Sequence, residues 1–174
     1  MNGASKLFAA VLLSVAGLGD AGAAMLAPGA PFPAFELRDD NGGTVRSSDL
    51  AGKRYLVWFY PKAQTPGCTT EARGLRDHYA ELEKARVVIL GVSFDVPDAN
   101  KKFVEAESLP FRLLSDTDRK LAVAVGAADS ADAKVAKRIS YLVGADGKVE
   151  KAYDDVQPAE HAKQVLGDCS AAAK

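Results

Sequence analysis

The stretch Tyr55-Leu56-Val57-Trp58-Phe59-Tyr60-Pro61-Lys62-Ala63-Gln64-Thr65-Pro66-Gly67-Cys68-Thr69-Thr70-Glu71-Ala72-Arg73-Gly74-Leu75-Arg76 decides how the rest of the chain is read. Its six leading apolar residues are too few for a buried helix and rich in aromatics, so they predict a central strand covered on both faces. In sheets of that kind, chemistry gathers where the strand ends. Pro61 stops the ladder because it has no N–H, and Thr65-Pro66-Gly67 makes a turn that delivers Cys68 to the start of a helix.

The helix is predicted from Thr69 to about Lys84, because Ala72, Leu75, Tyr79 and Leu82 recur at three- and four-residue steps and form one buried stripe. Cys68 then falls in its first turn. Unpaired amides and the positive end of the helix dipole favour an anion there, the setting in which a thiol ionises and becomes a nucleophile. Thiolate supply alone gives a modest gain in rate. A fast reaction also needs groups that stabilise charge moving onto the leaving atom.

Around this core the chain reads as one domain. It has 174 residues, 48% hydrophobic and 26% charged, which is an ordinary globular composition long enough for a real core. The formal net charge of −1, with basic and acidic residues interspersed, leaves no electrostatic footprint for nucleic acid. Phe35 to Leu37 and Gly43 to Arg46 predict a short hairpin around Asp39-Asp40-Asn41-Gly42. Val87 to Val92 is a second buried strand, Asp98 is placed to cap a helix containing Phe103 and Val104, and Phe111 to Leu114 is a third strand. Ile139 to Val143 and Val149 to Tyr153 flank Asp146-Gly147, a hairpin signal. A last helix is expected from Pro158 to about Leu166, with Gly167 beyond its end. The order is alternating α/β with mixed strand directions.

Residues 1–24 differ in kind. Lys6 precedes an apolar and small run from Leu7 to Leu18, followed by Ala21-Gly22-Ala23, the layout of a secretory signal with an Ala-x-Ala cleavage site. The run is short for a membrane span, and no cysteine follows the cut to accept lipid, so no stable membrane insertion is expected. Export to a periplasm or beyond is the expectation, with residues 25–174 as the mature domain. The alternative is a cytoplasmic protein whose translation starts at Met25.

Pro61, Thr65 and Cys68 stand in a Pro-x-x-x-Thr-x-x-Cys pattern that resembles the peroxiredoxins, and Thr65-Pro66-Gly67-Cys68-Thr69-Thr70-Glu71-Ala72 is similar to the bacterioferritin-comigratory, or peroxiredoxin Q, branch. Gly91-Val92-Ser93-Phe94-Asp95, Leu109-Pro110-Phe111, Leu113-Leu114-Ser115-Asp116 and Arg138-Ile139-Ser140-Tyr141-Leu142-Val143 follow in the same order. The resemblance runs from about Pro31 to Leu166. It implies a thioredoxin-like α/β fold, a central mixed β-sheet flanked by helices, in which Arg138 comes beside Cys68 across about 70 residues of sequence. It also implies a thiol peroxidase for hydrogen peroxide and small organic hydroperoxides. Cys68 attacks the peroxide and becomes a sulfenic acid, Thr65 places its hydroxyl between sulfur and peroxide, and Pro61 shields the pocket. Arg138 holds thiolate and oxygens with its forked donors, and Glu71 orients an arginine. The partners so implied are a hydroperoxide and an external thiol or thioredoxin-like reductant, used by a monomer or homodimer without metal, haem or flavin.

The chain departs from its branch at one place. Many relatives carry a resolving cysteine five residues after the peroxidatic one, and Arg73 stands there. The second cysteine, Cys169, lies near the end of the chain, expected past the last helix; it either resolves the sulfenic acid, within the chain or from a partner chain, or leaves a one-cysteine cycle served by an external thiol. A non-catalytic domain with a structural Cys68–Cys169 disulfide is the competing reading. No Cys-x-x-Cys occurs, and His78 and His161 have no ligands at metal spacing and read as solvated helix residues. Arg73 and Arg76 likewise read as solvated.

Overall fold

The computed structural model describes residues 24–171, so the expected export segment lies, except for Ala24, outside the described residues. Leu26 is already tied to the domain, its N–H donating to the Tyr141 hydroxyl at 3.1 Å. From there the chain forms β1 (Glu36–Asp39) and β2 (Thr44–Arg46), the predicted hairpin, with Asp39 accepting the amides of Asn41 and Gly43 in its turn. β3 (Arg54–Phe59) is the central strand, followed by α1 (Pro66–Asp77), α2 (Tyr79–Lys84) and β4 (Val87–Ser93). Then come α3 (Pro97–Glu107), β5 (Arg112–Ser115), α4 (Lys120–Ala124), β6 (Ile139–Val143), β7 (Val149–Tyr153) and α5 (His161–Ala171).

The seven strands form one sheet in the order β2-β1-β5-β4-β3-β6-β7. β3, β4 and β5 run parallel, while β6 pairs antiparallel with β3, and β1 antiparallel with β5. Strand alternation divides the core into two layers. Val57, Phe59, Val92, Tyr141 and Val143 point to one, which α4 covers through Leu121 and Ala122. Leu56, Trp58, Tyr60, Ile89, Leu113 and Leu142 point to the other, where α1, α3 and α5 bring Cys68, Leu75, Phe103 and Val165. Gly91 lies opposite Trp58, and a Cβ there would stand 2.5 Å from Leu113 Cδ2 and 3.0 Å from the indole, so glycine makes the room that Trp58 fills.

Several expectations are corrected. The helix after the cysteine is broken at His78, whose ring Nδ1 and backbone N–H both reach the Gly74 carbonyl, at 2.9 and 3.2 Å; a side chain competing for a backbone acceptor one turn after a glycine ends the helix. Val96, not Asp98, occupies the cap of α3, with Pro97 at its first position. The β6–β7 hairpin, by contrast, stands as expected: the Gly144 N–H donates to the Lys148 carbonyl, Gly147 takes φ +77°, and the register slips between Leu142 and Val143. The last helix starts three residues after Pro158 and runs through Gly167 to Ala171. Ala162, Val165 and Cys169 carry its buried stripe past that glycine, and burial outweighs the weak helix propensity of one residue.

Candidate active site

β3 ends at Phe59, and Tyr60 continues into the core before Pro61 turns the chain out. The connecting loop is pinned from β4, since Asp95 accepts the Ala63 N–H at 2.9 Å and the Ser93 hydroxyl at 2.9 Å. Gln64 takes φ +61° so that Thr65 can sit extended at the helix cap. The first intrahelical bond is Thr69 N–H to Thr65 O at 2.8 Å. Gly67 and Cys68 precede that ladder, so Cys68 occupies the third helical position among amides without intrahelical partners. The Thr65 hydroxyl donates to the Lys62 carbonyl at 2.9 Å, which leaves its oxygen free to accept.

Cys68 is fully buried, and one guanidinium reaches it. Arg138, immediately before β6, donates from Nη2 to Cys68 Sγ at 3.4 Å and from Nη1 to Glu71 Oε2. The side chain passes over Gly67, where a Cβ would be 3.1 Å from Nη2. Burial works against the guanidinium charge, but contact with Cys68 and Glu71 outweighs it and holds the Arg138 pKa above its ordinary value. Glu71, one turn after Cys68, has no exposed side chain; burial raises its pKa to about 7 against the pull of Arg138. Tyr60 closes the layer beneath, stacked on Trp58 at 4.6 Å and donating its hydroxyl to Asn100 at 2.7 Å.

The structure therefore brings Pro61, Thr65, Cys68, Glu71 and Arg138 to one end of the sheet and leaves Cys169 elsewhere. Both cysteines are free thiols. Contrary to expectation, Cys169 lies inside α5, 4% exposed, with its pKa raised first of all by burial. The Cys169 carbonyl accepts from Arg54 Nη1 at 3.4 Å, placing it near the start of β3, whereas Cys68 lies beyond the end of that strand. Six strand residues span roughly 17 Å, far more than the Cα separation of about 7 Å that a disulfide tolerates.

The solvated reading of His161 is also overturned. The residue opens α5 and is fully buried, its ring edge-on to Tyr153 with centroids 5.2 Å apart, and its Nε2 lies 3.9 Å from Glu71 Oε1. A usable signal existed in the sequence: His161, Val165 and Cys169 recur at four-residue steps, which places the histidine on the apolar stripe. Arg73, at the position where many relatives keep a second cysteine, forms a two-point ion pair with Glu107, and Arg76 donates to the Glu107 carbonyl at 2.8 Å. Both fasten α1 to α3. A cleft of about 680 Å3 lies at the far end of the sheet between Lys53, Tyr79, Arg86 and Phe111 and holds none of these site residues. Among the described residues, no His, Cys, Asp and Glu cluster has metal-binding geometry, and no helix is long and apolar enough to cross a membrane.

The AhpC/TSA family matches residues 28–152. Among curated relatives, Peroxiredoxin Bcp of Escherichia coli (strain K12) is 45% identical over 139 residues, covering 77% of this chain and 89% of its own. A putative peroxiredoxin Bcp of Haemophilus influenzae is 37% identical over 146 residues, covering 81% and 94%. Peroxidoxin BcpB from Mycobacterium tuberculosis superposes with a TM-score of 0.77 at 31% identity, covering 83% of this chain and 96% of its own. The bacterioferritin comigratory protein of Xanthomonas campestris, whose structure concerns alkyl peroxide reduction, gives 0.76 at 31% identity, covering 86% and 98%. The thioredoxin-like fold expected from the sequence is that of these neighbours.

Proposed function

The chain belongs to the AhpC/TSA family, among the Bcp and peroxiredoxin Q proteins, and on that premise we propose that it is a thiol-dependent peroxidase whose reacting group is Cys68. The observation that carries the assignment is the 3.4 Å contact between Arg138 Nη2 and Cys68 Sγ at the first turn of α1. It supplies a fixed positive charge beside the sulfur, where helix amides already favour an anion.

The Cys68 thiolate attacks the terminal oxygen of a hydroperoxide. A sulfur–oxygen bond forms, the oxygen–oxygen bond breaks, and the sulfur is oxidised by two electrons to a sulfenic acid that carries the transferred hydroxyl. The departing alkoxide or hydroxide takes a proton and leaves as alcohol or water. Arg138 stabilises charge first on sulfur and then on the leaving oxygen, and a preorganised donor there lowers the barrier more than thiolate supply does. Thr65, its proton committed to Lys62, accepts the O–H of the incoming peroxide and orients it. Pro61, at the end of β3, limits water at the pocket. Hydrogen peroxide and small organic hydroperoxides are the substrates, the latter supported by the alkyl peroxide reduction named for the Xanthomonas campestris neighbour.

An external thiol completes the cycle: one thiol displaces water from the sulfenic acid to give a mixed disulfide, and a second releases Cys68. Burial of Cys169 near the opposite end of β3 supports this over resolution within the chain, which requires the last turns of α5 to unwind. Export of the mature domain rests on the segment 1–24 alone; the anchoring of Leu26 to Tyr141 is compatible with a cut after Ala23. The test is peroxide consumption in the presence of a reducing thiol: the parent turns over, Cys68→Ser does not. Persistent turnover by Cys68→Ser overturns the assignment.

A further inference from the structure

Arg138 has one anchor, Glu71 Oε2, and the other oxygen of that carboxylate has no hydrogen-bond partner although it is sealed from solvent. A buried carboxylate oxygen without a donor is an exception that calls for a physical reason. His161 Nε2 lies 3.9 Å from it, and both ring nitrogens of that histidine are buried without a hydrogen bond of ordinary geometry, although the Gln164 side chain is close enough to raise the ring's pKa against the effect of burial. Closing the gap by about 1 Å makes a charge-assisted N–H···O bond of ordinary length. Small groups line this contact: a Cβ on Gly74 of α1 would be 3.8 Å from the Pro158 carbonyl just before α5 and 4.0 Å from the Ala162 methyl within it. Tyr153 holds the ring plane from the other side, at an angle of 81°.

We propose that His161 is a positioning residue for the peroxidase: it fixes the free oxygen of Glu71, and through Glu71 holds the Arg138 guanidinium on Cys68. The line runs Cys68, Arg138, Glu71, His161, from α1 across the start of β6 to α5. A carboxylate gripped by one oxygen can rotate, and the guanidinium turns with it; a second donor removes that freedom. The imidazole does this without adding charge. Burial pushes its pKa down to about 4 and that of Glu71 up to about 7, so above that pH the ring donates while neutral and leaves the Glu71 charge for Arg138. A buried site chosen for packing alone gains nothing from two unsatisfied nitrogens, which is why its chemistry points to a role.

The proposal rests on Cys68 being the reacting thiol, and the test separates the two. His161→Phe keeps a ring but loses the donor; His161→Gln restores an N–H of similar reach. Single-turnover oxidation by hydrogen peroxide, measured on full-length protein above its folding threshold, is expected to slow about tenfold in His161→Phe and to recover to within about threefold in His161→Gln. In a Glu71→Gln background, His161→Phe is expected to add less than about a twofold further loss, because its path to the sulfur is already cut. Equal rates for both histidine variants and the parent overturn the proposal, as does a full His161→Phe effect that persists with Glu71→Gln. Should His161→Phe not fold, nitrogen NMR of the parent decides: a neutral ring protonated at Nε2 upholds the proposal, and one protonated only at Nδ1 defeats it. Peroxide reactivity retained by Cys68→Ser defeats the underlying assignment instead.

Discussion

The buried pair Glu71 and His161 sets up a stability experiment in which two opposite slopes are hidden in the parent and exposed by single substitutions. Burial raises the Glu71 pKa from 4.5 to about 7 and lowers that of His161 from 6.5 to about 4. Between those limits the folded protein keeps a proton on Glu71 that the unfolded chain has lost, so stability from this group is full below its unfolded pKa and is lost as pH rises through about 7. His161 acts in the other direction. The folded ring is neutral where the unfolded one is charged, so its contribution is present above its unfolded pKa and is lost as pH falls through about 4. Each slope is about 1.4 kcal/mol per pH unit, and each total is on the order of 3 kcal/mol. In the parent they cancel across the shared window. Relative to the parent in urea titrations, Glu71→Gln should therefore become progressively more stable from about pH 4.5 to 6.5, and His161→Phe progressively less. Cys68→Ser and Cys169→Ser are carried in every protein so that thiol chemistry does not intrude. Two flat differences, or two of the same sign, would refute the assignment of a neutral pair in the core.

The other predictions concern the site. Arg138→Lys keeps the charge but cannot reach Cys68 and Glu71 together, so peroxide reactivity should fall about 10- to 100-fold in stopped-flow single turnovers while the fold persists; an unchanged rate argues against the forked donor. Gly67→Ala should raise the melting temperature slightly, since alanine is the better helix former, yet slow oxidation severalfold because its methyl stands 3.1 Å from Arg138 Nη2; activity rising with stability would contradict the placement. Cys169→Ser should cost about 1–2 kcal/mol in chemical denaturation, because a hydroxyl replaces a buried thiol, and leave turnover with an external thiol within about twofold of the parent; loss of turnover would make Cys169 the resolving residue.

Local signals carried most of the fold. The apolar run of β3, the Pro and Gly turn before α1 and the Asp146-Gly147 hairpin are legible because each is written within a few residues. Cys68 at a helix start belongs to the same class. What the sequence could not show is what nonlocal packing decides. Gly167 looks like a helix end, and only the burial of Val165 and Cys169 against the sheet explains why α5 continues. The Asp95 contact that pins the loop at Ala63, and the Asp116 carboxylate that accepts the Leu121 and Ala122 amides of α4, join segments without a shared sequence pattern. The Arg138 contact was expected only from resemblance, and the histidine beneath Glu71 was visible as a stripe position whose partner no local pattern names.

The central claim is that one thiol, Cys68, takes an oxygen from peroxide while held by Arg138. Intact-mass and peptide analysis of the reduced protein after one equivalent of hydrogen peroxide, with a sulfenic-acid trap present, tests it most directly. The account predicts one trapped adduct on the peptide containing Cys68 and a free thiol at Cys169. An adduct on Cys169 instead, or an unmodified Cys68 with the peroxide unconsumed, would contradict it.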